Sequence, residues 1–218
     1  MRNKFLFLFF LFAKLNSFGQ NDSTNFFPQI NISFNRASAN EQNTNNPLGF
    51  GIGLYIIELK DKLIKIKFGL EYNRINIFKS YLHQSHFSNY EDITYRLDYL
   101  SLPIVSQISF GSKIKVIIET GIYFDLNIGG TLHGTYYYYG PNASMTQLIS
   151  KQGEVSQKVN LSPPDIGFAL GVGIKVPISN YRIIISPEYK VNFTNEESYV
   201  DMNIKNIIRL AIGFQWNQ

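Results

Sequence analysis

Between Tyr99 and Gly130 the chain reads YLSLPIVSQISFGSKIKVIIETGIYFDLNIGG, two long alternating runs broken by Gly111-Ser112-Lys113. In the first run Leu100, Leu102, Ile104, Ile108 and Phe110 fall on one face, opposed by Ser101, Val105, Gln107 and Ser109. In the second, Val116, Ile118, Ile122, Phe124 and Leu126 oppose Lys115, Glu119, Gly121, Tyr123, Asp125 and Asn127. Alternation of period two around a tight turn specifies an antiparallel hairpin. Its apolar face is unbroken. Its other face mixes small residues with charges, an unusual surface to turn toward bulk water.

The same pattern recurs along the chain. Strands are expected over 28–36, 48–57 and 64–73, then the hairpin, then 165–175, 183–193 and 207–216. Gly49, Gly51 and Gly53 share one face of the second strand, and Gly167, Gly171 and Gly173 one face of the sixth. Glycine weakens strand interiors, so such rows suit a curved sheet with a crowded inner side. Long connections are expected at 37–47, 76–93, 128–164 and 194–203, and short ones at 58–62, 111–113 and 177–180. Eight strands with long and short connections in alternation describe an antiparallel up-and-down transmembrane β-barrel, all-β, with both chain ends on the periplasmic side.

The N-terminus carries Arg2 and Lys4 before an apolar run from Phe5 to Ala13, and Ser17-Phe18-Gly19 offers a small-residue cleavage site. A signal peptide is expected over 1–19, with one barrel domain over 20–218. The 218 residues carry a formal charge of +4, but three of the 20 basic residues (Arg2, Lys4, Lys14) lie in that leader. The remaining 17 basic residues face 16 acidic ones, and no basic stripe is left for nucleic acid. The chain has no cysteine, so neither a disulfide framework nor a lipidated cysteine is expected.

Alternation alone leaves open which face points outward. A soluble barrel of lipocalin type would turn the apolar face inward around a ligand and cover its exterior with charge. Here the polar face is mostly Gly, Ala, Ser and Asn, with Lys65, Lys67, Glu71, Glu119, Asp125, Glu188, Lys190 and Arg209 scattered among them. Small residues and paired charges suit the narrow interior of an eight-stranded barrel. Phe34, Phe50, Tyr72, Phe110, Phe124, Tyr189, Phe193, Phe214 and Trp216 stand toward strand ends, where interfacial girdles form. A membrane barrel is therefore expected.

Tyr99-Leu100-Ser101-Leu102-Pro103, followed by Glu119-Thr120-Gly121-Ile122-Tyr123, resembles a signature of small outer-membrane barrels of Bacteroidota, the PorT-like group. Gly167-Phe168-Ala169-Leu170-Gly171-Val172-Gly173 and Leu210-Ala211-Ile212-Gly213-Phe214 are similar to further strands of that group. The resemblance spans the mature chain and departs from the pattern at its end, Gln215-Trp216-Asn217-Gln218 in place of a terminal Phe. It implies an integral outer-membrane protein in contact with lipid and with the barrel-insertion machinery, and, for some members, with secretion-system components.

Several residues invite chemistry. His83-x-x-His86 with His133 offers three metal ligands, but all three fall in polar connections without a supporting shell, so no metal is expected. No histidine falls on an expected strand, where a nucleophile and base would have to meet, so neither a catalytic residue nor a cofactor is expected. Glu71, Glu119, Asp125, Glu188, Lys190 and Arg209 are expected to form a structural charge network in the lumen rather than an ion path. Tyr136, Tyr137, Tyr138 and Tyr139 offer a recognition surface in the longest connection, or extend a hairpin above the membrane. The expected role is that of a non-enzymatic scaffold or accessory component of the cell envelope, linked to secretion. The alternative is an adhesion or ligand-binding barrel acting through its extracellular connections.

Overall fold

The computed structural model describes residues 26–39, 46–58, 64–141, 144, 146–159, 164–193 and 204–216. The expected signal peptide and the connection at 194–203 lie outside the described residues. Nine strands are described: β1 (Phe26–Ala39), β2 (Gly49–Glu58), β3 (Ile64–Ser85), β4 (Ser88–Phe110), β5 (Lys115–Pro141), β6 (Leu148–Lys158), β7 (Asp165–Ile178), β8 (Tyr181–Asn192) and β9 (Ile204–Trp216).

Eight of them close a ring, β1-β2-β3-β4-β5-β7-β8-β9, in which every neighbouring pair is antiparallel. Closure is made by the first and last strands: Ile32 of β1 lies opposite Ile52 of β2 on one side and Ile212 of β9 on the other. The ninth strand, β6, stands outside the ring and pairs with the upper part of β5, from Thr131 to Pro141.

The inner and outer faces follow the alternation. Ile52, Ile104, Ile122, Leu170 and Val172 are exposed on the outside, while Asn31, Lys67, Glu71, Glu119 and Arg209 are buried within. A belt of outward apolar side chains runs round the barrel, far beyond the few hundred Å² that soluble monomers expose in one patch. The lipocalin-type arrangement is thereby excluded, because the apolar face points away from the lumen. Phe110, Tyr181, Phe214 and Trp216 are exposed near the end with the short turns, where Tyr181 and Trp216 meet edge to face at 6.1 Å. Phe34, Phe50 and Tyr189 are exposed nearer the other end, where Phe50 packs on Tyr72 at 6.1 Å.

The glycine rows have a specific cause. A Cβ on Gly69 would come within 2.6 Å of the Tyr55 ring, and one on Gly167 within 2.5 Å of the Tyr123 ring. Tyr55 and Tyr123 are buried, so these two rings occupy the interior volume that side chains at the glycines would need. On the β4–β5 hairpin, Pro103 faces Tyr123 and Val105 faces Gly121, where a Cβ would lie 2.2 Å from the Ile104 carbonyl oxygen.

Two expected connections are strands instead. β3 continues from 76 to Ser85 and turns through His86 and Phe87 straight into β4. β5 continues to Pro141, and β6 fills 148–158 of what the alternation left as a loop. β3, β4 and β5 are 22, 23 and 27 residues long. A tilted strand needs about 9–11 residues to cross a membrane, so all three overshoot by roughly their own crossing length. The excess forms a four-stranded sheet, β3-β4-β5-β6, projecting from the end opposite the short turns.

Candidate functional site: the packed lumen and the projecting sheet

Within the barrel, period two delivers the inner charges to one interior, where ion pairs join four of the six expected network residues to one another. Arg209 of β9 donates from Nη1 to Glu71 of β3 at 2.5 Å and from Nε to Glu188 of β8 at 2.9 Å. Lys190 reaches Glu71 at 3.4 Å and lies 4.5 Å over the Tyr123 ring. Asn73 donates to the same carboxylate at 3.0 Å, and the Tyr55 hydroxyl donates to its other oxygen. Glu119 belongs to a separate group: Lys67 and the Gln107 side-chain amide each donate to its Oε1 at 2.6 Å. Asp125 takes a hydrogen bond from Ser101 and is attracted to Lys190, with no ion pair among the described residues.

Lys67, Tyr55, Gln107 and Asn73 thus complete sites that the six residues alone leave open. The alternation already places all four on the inward face, but only the six charges were expected to form the network. The space left among these side chains is about 10 Å³, room for about one water. Such a lumen is packed, and a buried carboxylate bonded several times over is held in one geometry.

Directly above this layer the interior changes character. Ala37, Ile75, Ile77, Ile93, Tyr95, Leu97, Tyr99 and Ile207 form a buried apolar cluster, with Leu132, Tyr136 and Val155 against it. The cluster roofs the lumen and continues as the inner face of the projecting sheet. Two bulges shape it. Ile128 is an extra residue in β5 between Asn127 and Gly129, which face Tyr99 and Asp98. Asp92, at φ 51°, lies within a second register shift between Glu91 and Thr94 of β4. Each bulge shifts which alternate residues point inward.

The four tyrosines do not share a face. Tyr136 packs on Tyr90 at 5.8 Å, and Tyr138 donates to the Pro141 carbonyl at 2.6 Å. Tyr137 accepts from Gln152 of β6 at 3.1 Å, and Tyr139 is exposed at the tip. Tyr81, Phe87 and Leu148 are exposed on the same projecting sheet. His83 and His133 stand on β3 and β5 rather than in loops, and His86 lies in the turn between β3 and β4. His83 pairs with Asn89, whose β5 partner is Tyr137, four residues beyond His133. The three histidines are therefore at different heights, and among the described residues no group of three metal-ligating side chains forms.

Between barrel and sheet, Arg74 and Asp98 form an outward ion pair at 2.8 Å, and the Tyr72 hydroxyl donates to the same carboxylate at 2.6 Å. This polar trio stands where the outer apolar belt stops.

A closed antiparallel ring with an apolar exterior and a packed polar interior defines a transmembrane β-barrel. A family model described as outer membrane protein beta-barrel domain matches residues 15–198, and the chain belongs to that family. It is an outer-membrane protein. Among solved structures, the chain is similar to Neisserial surface protein A at 12% identity and a TM-score of 0.51, covering 90% of this chain and 100% of that one. A major outer membrane protein from Thermus thermophilus is similar at 9% identity and a TM-score of 0.51, covering 87% of this chain and 98% of that one. At these identities the likeness concerns the fold. No curated protein sequence matches the chain.

Proposed function

We propose that this protein is a non-enzymatic surface-recognition barrel: a packed outer-membrane anchor that displays a rigid β-sheet outside the cell. The observation that carries this is the overshoot of β3, β4 and β5, whose excess length is ordered by pairing and by its own apolar core. A scaffold needing only to span the membrane has no use for strands of twice the crossing length. Exposed Tyr81, Phe87 and Tyr139 supply large contact area at low entropic cost. Glu71, Glu119 and Glu188 in the lumen are committed to cations and amides, which speaks for an anchor rather than a channel. Membership of the PorT-like group is supported by the meeting of its quoted motifs, Pro103 against Tyr123 and Tyr123 over Gly167.

The test is a trimmed protein. Phe78 and Thr94 are partners, as are His133 with Thr94 and with Ser156, so all four lie at one level. Replacing 79–93 and 134–155 by two-residue Asn-Gly turns removes the upper sheet and leaves the ring. The trimmed barrel should still change mobility in SDS between unheated and boiled samples. Cells carrying it should lose attachment to immobilised polysaccharide and protein surfaces that the full chain supports. Unchanged attachment overturns the proposal, and a loss of protein secretion with attachment intact would favour the accessory role instead.

A further inference from the structure

At the periplasmic end the lumen carries cations that no carboxylate among the described residues compensates. Lys115 of β5 and Lys175 of β7 are direct cross-strand partners. Like charges directly opposite each other destabilise a sheet. Arg182 of β8 joins them, opposite Pro177, and Lys65 of β3 faces the same end of the lumen. Lys175 is buried and hydrogen-bonded to two neutral amide oxygens, Gln107 at 3.2 Å and Gln215 at 3.1 Å. Lys65 is only 7% exposed, and the charges acting on it most strongly are Lys115 and Arg182, both repulsive. Among the described residues none of these four cations has a carboxylate partner within ion-pair distance. Glu119, the acid that attracts Lys175, is taken by Lys67 and Gln107.

The contrast with the layer above is sharp, for there each buried cation has a carboxylate. Four convergent cations at a barrel mouth would normally be selected against unless something anionic completes them. A cavity of about 150 Å³ lies between three of them, lined by Ser112, Lys113, Lys115, Lys175, Pro177 and Arg182. A space of that size holds a ligand as large as benzene, so a tetrahedral oxyanion fits with room for water.

We propose that the periplasmic mouth is an anion site for a phosphate group, taken as the free ion or as the headgroup of an anionic lipid. Lys115, Lys175 and Arg182 supply the donors from three strands, and Lys65 adds charge from across the lumen. The site is independent of what the projecting sheet recognises.

The experiment uses the full folded barrel. In neutral detergent micelles, unfolding is followed by the loss of the fast-migrating form in SDS, with inorganic phosphate against chloride at equal ionic strength. At about ten times its Kd, phosphate should shift the folded-to-unfolded ratio about tenfold. The double variant Lys115→Gln, Arg182→Gln should show no such response and be at least as stable as the parent in chloride, because a repulsion has been removed. In a second arm the barrel is refolded into phosphatidylcholine vesicles with or without phosphatidylglycerol. A phosphate response in micelles identifies the free ion as sufficient. A response to phosphatidylglycerol alone identifies the lipid headgroup. Indifference of the parent to both, or a variant less stable than the parent in chloride, overturns the proposal.

Discussion

On β3 the apolar side chains change faces within three residues. Up to Tyr72 they point outward, as Ile64 and Phe68 do, while Lys65, Lys67 and Glu71 are buried inside. At Ile75 and Ile77 they point inward, and both are buried. β4 repeats the switch in reverse: Ile93, Tyr95, Leu97 and Tyr99 face in, then Leu102 and Ile104 face out. β3 makes its change without a break in pairing between Glu71 and Lys79. What changes is the solvent. Exposing a large apolar side chain to water costs about 1.5–3 kcal/mol, so the outward belt requires lipid and the inward cluster requires water outside it. The Arg74–Asp98 pair marks the boundary between the two regimes.

The comparison can be broken in four places, from the largest effect to the smallest, with Thr94 as a fifth, control position. Arg209→Met leaves Glu71 and Glu188 buried without their main cation, and should destabilise the barrel by about 3–5 kcal/mol. Urea unfolding in lipid vesicles measures it. Ile104→Lys puts a cation on the lipid face of β4, at a cost of about 2–4 kcal/mol near the midplane. Thr94→Lys, on the same strand above the boundary, should stay within about 0.5 kcal/mol. Equal effects at 94 and 104 would mean that the two regions share one solvent. Ile93→Val, inside the sheet core, should cost about 0.5–1.5 kcal/mol. The loss should appear as faster hydrogen exchange in the upper parts of β3 to β6, with the barrel amides unchanged. Arg74→Gln removes an ion pair whose side chains are 36% and 24% exposed, and should cost no more than about 1 kcal/mol.

The ring was legible because its alternation is regular. The six expected network charges from Glu71 to Arg209 are placed inward by counting in twos, and the glycine rows point to the crowded interior that Tyr55 and Tyr123 fill. The projecting sheet was not legible, for physical reasons visible in particular residues. The apolar set moves from even to odd positions between Tyr72 and Ile75, so a single template no longer fits β3. Ile128 and Asp92 then insert bulges that shift the phase of β5 and β4. β6 carries few large apolar residues, and Ser150, Lys151, Gln152 and Glu154 resemble a loop until Tyr136 to Tyr139 are seen paired against Gly153 to Ser150. Of the mouth cations, Lys65 and Lys115 already stand on the polar face in the sequence, whereas Lys175 lies one step past Gly173 and Arg182 just before the expected strand at 183, so the four do not show as one group.

The absence of cysteine from the chain permits the most direct test of the whole account. Single cysteines at Tyr139, Ile104 and Ser112 are exposed to a membrane-impermeant maleimide, first on intact cells and then after the outer membrane is permeabilised. Tyr139→Cys should label on intact cells, Ser112→Cys only after permeabilisation, and Ile104→Cys in neither state until the barrel is boiled in SDS. Labelling of Ser112→Cys on intact cells, or of Ile104→Cys in the folded protein, would contradict a membrane-embedded barrel that holds its long strands outside the cell.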